Sequence, residues 1–298
     1  MREELKEHNL CFVVGMPKNG TTSLADWLTS IEDVSVHDVK EPHYFLPECN
    51  GHRGIVDYSN YISGFNKNKN NWFDCSTLYC FYDYSIEEIS KVEGAKVILI
   101  IREPKSFLQS HFAQQYSTLD EIESDVNIAY RRNNSRDNTS CRDHNLIDYS
   151  KVIDYGAIIR RITARFNEKN ALFIYYEDLI YRQHETLSEI AGFCNLKVDE
   201  IAALPKSNVR KNNPSISRYI NRIDRNSRLI SLFRYLNNKL LKGAFTSNRL
   251  ELFMTKFGRN KLNVVLDEEL INIIDSLIEK DRYVIEKHFG SLPVEWKY

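Results

Sequence analysis

Leu10-Cys11-Phe12-Val13-Val14, followed by Gly15-Met16-Pro17-Lys18-Asn19-Gly20-Thr21-Thr22-Ser23, decides the fold. The first five residues are a continuous apolar run without alternation, as expected of a strand buried on both faces of a parallel sheet. Gly15 ends the run, two glycines bracket a short loop, and Thr22 through Leu28 take helical spacing. Strand, glycine loop and helix make the first half of a βαβ unit. At the start of such a helix the backbone N–H groups are unsatisfied and the helix dipole adds positive potential. The loop is therefore built to receive an anion.

Working outward, the same pattern recurs. Val34–Val36 reads as a second strand, Trp72–Thr77 as a third, and Lys96–Ile101 as the clearest of all. Pro104 stands where a helix begins, and the pattern is helical through Tyr116. A helix is expected over Tyr155–Phe166, a strand over Ala171–Tyr176, a helix over Glu185–Cys194 and a closing amphipathic helix over Leu266–His288. The polar, aperiodic stretch 131–148 reads as a surface insertion or lid, and 206–298 as mostly helical. Together these give an α/β fold, a central parallel sheet flanked by helices in three layers. Ligands of such sheets lie at the carboxyl ends of the strands, where Gly15 and Arg102 both stand. With 298 residues, 42% hydrophobic, the chain can bury one large core, and residues 1–298 are expected to form a single domain.

Net charge is −1, so the overall field does not call for nucleic acid. Between Lys206 and Arg249, however, eleven Lys or Arg face a single acid, Asp224. That block suits an anionic ligand or a solvated helix face, and no RNP, zinc-finger or helix-turn-helix signature accompanies it. The six cysteines include no CxxC pair, which argues against structural zinc, and Cys11 reads as a reduced, buried thiol. MREELKEHNL is charged, no apolar run approaches the roughly 20 residues that span a bilayer, and the chain is expected to be soluble and cytoplasmic. The sequons at Asn133 and Asn138 do not overturn that.

The ATP-binding loop has the form G-x-x-x-x-G-K-[ST]. Here Thr21 takes the lysine position and Lys18 lies inside the loop. The resulting G-x-x-K-x-G-T-T-x-L resembles the 5′-phosphosulfate loop of sulfotransferases that use 3′-phosphoadenosine-5′-phosphosulfate (PAPS), especially the heparan-sulfate-type and bacterial carbohydrate enzymes. The resemblance implies a P-loop NTPase-like fold in which Lys18, Asn19, Gly20, Thr21, Thr22 and Ser23 hold the 5′-phosphosulfate. It also implies that Lys18 stabilises the departing bridging oxygen. In that family an Arg at a later strand end and a Ser eight residues on grip the 3′-phosphate. Arg102 and Ser110 match, while Phe107 stands where many members carry a second Arg. Arg210 and Lys211, in a late basic stretch, match by position and charge alone.

Lys40-Glu41-Pro42-His43-Tyr44-Phe45 resembles the K-E-x-H-F-F segment of the glycan enzymes, which implies Glu41 as general base with Lys40 and His43 beside it. His43 is the rival base, and Pro42 is expected to hold Glu41 extended. Asp74-Cys75-Ser76-Thr77-Leu78-Tyr79 resembles an acceptor-side segment, implying acceptor contacts from Ser76 and Tyr79; Cys75 replaces a lysine of some members. Tyr176-Glu177-Asp178-Leu179 resembles a further hallmark, whose acids are expected to cap the next segment. These readings imply a metal-independent sulfotransferase acting on a glycan hydroxyl, less readily an amine, with adenosine 3′,5′-bisphosphate as product, in a bacterial cytosolic setting. A P-loop kinase or hydrolase with a degenerate loop, using Asp74 or Glu103 for Mg²⁺, and a non-enzymatic binding protein are the alternatives.

Overall fold

The computed structural model describes residues 4–47, 54–132, 141, 143–198, 200–204 and 263–296. In chain order the elements are β1 (Asn9–Gly15), α1 (Thr21–Thr29), β2 (Val34–Val36), α2 (Tyr58–Ser63), β3 (Asn71–Asp74) and α3 (Asp83–Ser90). There follow β4 (Lys96–Ile101), α4 (Pro104–Ser117), α5 (Val126–Arg131), α6 (Tyr149–Val152), α7 (Tyr155–Thr163) and β5 (Ala171–Tyr175). The remaining helices are α8 (Tyr176–Tyr181), α9 (Gln183–Cys194) and α10 (Glu268–Phe289).

The five strands form one parallel sheet in the order β2-β3-β1-β4-β5. Each central strand feeds two cores, which is why its sequence does not alternate. Leu10, Phe12 and Val14 of β1, with Val97, Leu99 and Ile101 of β4, pack on the side of α3, α4, α7 and α10. Cys11 and Val13, with Ile98 and Ile100, pack against Trp27 and Leu28 of α1 and Leu187 and Ile190 of α9. Helix α10 buries Leu270, Ile274, Ile278 and Ile285 at helical spacing. Its Asp281 carboxylate accepts from Arg160 Nη1 at 2.7 Å, and a Cβ at Gly156 of α7 would lie 2.1 Å from that carboxyl carbon.

β1 and β4 are neighbours, but the chain leaves β1 for one edge of the sheet and β4 for the other. Diverging connections open a crevice beyond the carboxyl ends of these two strands. The glycine loop and Arg102 both border it.

The expected strands and longer helices are present, with three differences. Helices α2, α3 and α5 lie in stretches with no clear period; α2 and α5 are started by Asp57 and Asp125, whose carboxylates accept from Asn60 N and Asn127 N. β3 ends at Asp74, short of Thr77, because Ser76 and Thr77 turn to hold the segment after β2. Of the 131–148 stretch, 133–140 and 142 lie outside the described residues. Its far end is not surface: Asp143, Leu146 and Ile147 are buried, and His111 donates to the Leu146 carbonyl at 2.7 Å. Of the expected helical part 206–298, only 263–296 is described, and α10 occupies most of it.

Candidate functional site

The glycine loop is held from beneath. Met16 N and the side-chain amide of Asn19 both donate to the Ile100 carbonyl of β4, at 2.9 and 2.8 Å. Asn19 is fully buried, and its side chain anchors the loop. A Cβ at Gly15 would stand 2.4 Å from Cys80 Sγ. Gly20 caps α1 with φ 79°, and a Cβ there would meet the Tyr176 ring at 3.1 Å. Lys18 also has a left-handed φ, 70°. Such backbone costs about 1–3 kcal/mol in a non-glycine residue and is found where surroundings over-determine it.

Arg102 follows β4 directly. Its carbonyl accepts from Tyr155 OH at 2.8 Å, and its guanidinium lies over the Tyr176 ring, 4.8 Å from the centroid. The same ring thus crowds Gly20 and carries Arg102, joining the two loops that sequence motifs could only place in order. Tyr176 was not among the expected site residues. The signal for it was positional, since it is the first residue past β5 at the same sheet edge. Ser110 lies two turns into α4, partly exposed, while Phe107 is fully buried between Tyr155 and His111. Nothing from position 107 reaches the crevice.

The acids of the Tyr176–Leu179 motif do not cap the next segment as expected. Helix α8 begins at Tyr176 without a side-chain cap, and Glu177 Oε1 instead accepts from Glu103 N at 3.0 Å. Glu103 in turn caps α4, accepting from Lys105 N and Ser106 N. Burial pushes the Glu177 carboxyl above its ordinary range.

The segment after β2 crosses the mouth of the loop. Lys40 Nζ donates to Thr22 Oγ1 at 2.7 Å, tying it to the start of α1. Glu41 Oε2 and His43 Nε2 are 3.3 Å apart, and Thr77 Oγ1 donates to Glu41 Oε1 at 3.3 Å. The Glu41 side chain is 31% exposed and that of His43 10%, so the carboxylate is the more open of the two. Glu41 is not extended: its φ is 60°, and that of His43 is 53°. Thr77 and His43 grip the carboxylate while Ile55 N bonds the Pro42 carbonyl at 2.8 Å, and these tethers override the preference set by the proline.

Beneath this strap lies a buried polar stack. Ser76 Oγ accepts from His43 N at 3.0 Å, and Tyr79 OH accepts from Phe45 N at 3.2 Å. Tyr79 and Tyr61 both donate to Asp74 Oδ2, at 2.9 and 3.0 Å. Burial pushes the Asp74 carboxyl up, against hydrogen bonds from Ser76, Tyr79 and Tyr61 that pull it down. Ser76 and Tyr79 are fully buried and position the strap. Asp74 and Glu103, the metal ligands of the kinase alternative, are committed to the tyrosines and to the α4 cap. Among the described residues no three His, Cys, Asp or Glu converge on a metal-sized site, and no helix is long and apolar enough to cross a membrane. Arg210 and Lys211 lie outside the described residues.

A family model described as a sulfotransferase domain matches residues 9–234. Among solved structures, the chain is similar to a sulfotransferase from Alicyclobacillus acidocaldarius, with a TM-score of 0.67 and 16% identity over 98% of this chain and 99% of that one. It is also similar to the sulfotransferase domain of the olefin synthase of Synechococcus PCC 7002, with a TM-score of 0.50 and 15% identity over 97% of each chain. At such identities these likenesses speak for the fold. No curated protein sequence matches the chain.

Proposed function

The chain belongs to the sulfotransferase domain family, and from that membership we propose that it moves a sulfuryl group from PAPS to a hydroxyl, less readily an amine, of a carbohydrate acceptor. The observation that carries the reading is the single Tyr176 ring that contacts both the Gly20 turn and Arg102. A loop with anion-seeking N–H groups and a stacked guanidinium, fixed to one another, suit a nucleoside phosphorylated at both ends.

In this reading Lys18, Gly20, Thr21, Thr22 and Ser23 hold the 5′ end, Arg102 and Ser110 hold the 3′-phosphate, and Arg210 and Lys211 add charge there. The bound nucleotide supplies the activated sulfuryl group. Glu41 takes the acceptor proton, the more open carboxylate of the Glu41–His43 pair, and His43 orients it. Lys18 and the start of α1 stabilise charge that develops on the leaving phosphate oxygen, donors preorganised before the reaction. Lys40, held at Thr22, borders both nucleotide and acceptor. The glycan acceptor rests on the resemblance around Glu41, and a cytoplasmic, single-domain enzyme fits the same reading.

Calorimetry with adenosine 3′,5′-bisphosphate, ADP and ATP, with and without Mg²⁺, tests it. Metal-independent preference for the bisphosphate, lost in Arg102→Ala, is expected; preference for ATP with Mg²⁺ would transfer the chain to the kinase reading. Glu41→Gln should lower turnover by about 10²–10⁴-fold with nucleotide affinity unchanged, the usual worth of a general base. If Glu41→Gln stays active and His43→Ala does not, the base is His43.

A further inference from the structure

At the opposite end of the sheet, below the starts of β1, β3 and β4, a pocket of ≈ 80 Å³ is lined by Asn9, Cys11, Asn71, Lys96, Cys194 and Asn195, among others. Its floor holds two free thiols from distant parts of the chain: Cys11, the third residue of β1, and Cys194, the last residue of α9. Cys194 Sγ lies 3.6 Å from Cys11 Sγ and donates to it. Lys96 leans over the Phe193 ring and donates to the Phe193 carbonyl at 2.5 Å, one residue before Cys194. Cys75 is buried on the same face of the sheet but sits two positions past Phe73, the register partner of Cys11, and so lies farther along the strand direction.

We propose that Cys11 and Cys194 are a modification site, a buried dithiol that closes to an intramolecular disulfide when a peroxide enters the pocket. The sulfurs need to approach by roughly 1.5 Å to reach bonding distance. The Cys194 thiolate attacks one peroxide oxygen, the O–O bond breaks, and hydroxide leaves, giving a sulfenic acid. The Cys11 sulfur then attacks that sulfur, the S–O bond breaks, and water leaves. Overall two thiols and one peroxide give one disulfide and two waters; two electrons pass from sulfur to oxygen. Burial and the adjacent Cys194 push the Cys11 thiol up, while the Lys96 charge pulls it down, so Cys11 is not the sulfur that attacks the peroxide. The bond would staple the central strand to the helix that follows α8, behind the crevice and without touching it.

The test is peptide mapping of the full chain after hydrogen peroxide treatment, digested without reduction, with folding monitored by circular dichroism. The expected result is a linked peptide pair containing Cys11 and Cys194, and a Tm several degrees higher that falls back on reduction. Cys194→Ser should abolish the linked pair and Cys75→Ser should leave it intact. Two unlinked thiols at these positions in oxidised, folded wild-type protein would overturn the proposal, as would linkage of either to Cys75. The wild-type map decides even if Cys194→Ser does not fold.

Discussion

The glycine loop after β1 and the strap after β2 face each other across one crevice, yet they are held in opposite ways. The loop is fixed by backbone and by the absence of side chains: two glycines pressed on Cys80 and Tyr176, and two donors sharing the Ile100 carbonyl. The strap is fixed by side chains from elsewhere, through hydroxyls of Ser76, Thr77 and Tyr79, of which Ser76 and Tyr79 rest on the buried Asp74. On the proposed reading the loop needs a shape to hold a phosphate, and the strap needs a direction to hold a base. The first is secured by leaving atoms out and the second by a chain of hydrogen bonds, so the two should fail separately.

The sharpest break is on the loop side. Gly20→Val forces a left-handed residue into the Tyr176 ring and displaces the seat of Arg102. Affinity for adenosine 3′,5′-bisphosphate should fall by about 100-fold or more by calorimetry, given the cost of the backbone and of overpacking. Retained affinity would mean that the Tyr176 contact does not organise the site.

Next is His111, fully buried in α4. Burial lowers its imidazole from 6.5 to about 4, so it is neutral at pH 7, donating through Nε2 to the Leu146 carbonyl. Its unfolded form binds a proton below about pH 6.5 and its folded form only near pH 4, so stability falls as acid is added across that window. Urea unfolding at pH 7 and pH 4 should show wild type losing on the order of 3 kcal/mol, from the drop from 6.5 to about 4, that His111→Gln does not lose. Equal losses would place the acid sensitivity elsewhere.

The strap side should give a smaller effect of another kind. Tyr79→Phe removes the acceptor for Phe45 N and a donor to Asp74. Unfolding free energy should drop by about 1.5–3 kcal/mol, the worth of a hydrogen bond to a charged group. Turnover should fall with it while bisphosphate affinity holds, and a matching loss of affinity would erase the distinction between the two regions. The smallest effect belongs to Lys40→Met, which cuts a tie between them, Lys40 to Thr22. An exposed hydrogen bond to a neutral hydroxyl is worth about 0.5–1.5 kcal/mol, so nucleotide affinity should change by about tenfold or less.

The loop side was legible in the sequence because glycine spacing is local. Gly15 and Arg102 stand at strand ends whose apolar runs set the bounds of β4 to the residue and those of β1 to within a residue, and Gly20 follows at the start of α1. The strap was legible only as a motif. Its left-handed Glu41 and His43 follow from tethers to Thr77, Ser76 and Ile55, none of which a local pattern encodes. For the same reason the supporting bonds of Ser76 and Tyr79, and the anchoring bond of Asn19, were not legible. Tyr176 escaped notice because its two partners meet only once β5 is laid beside β4.

The strand order has a consequence for how the chain is made. β1 leaves the ribosome before both of its partners, which begin at Asn71 and Lys96, on opposite sides. Until both have been synthesised, an apolar strand with open edges must wait, and long-range parallel pairing is slow to form and prone to misassociation. The crevice therefore cannot exist on the growing chain before β4 has been made, and a protein stalled short of β4 would present a sticky, half-paired strand for chaperones to cover.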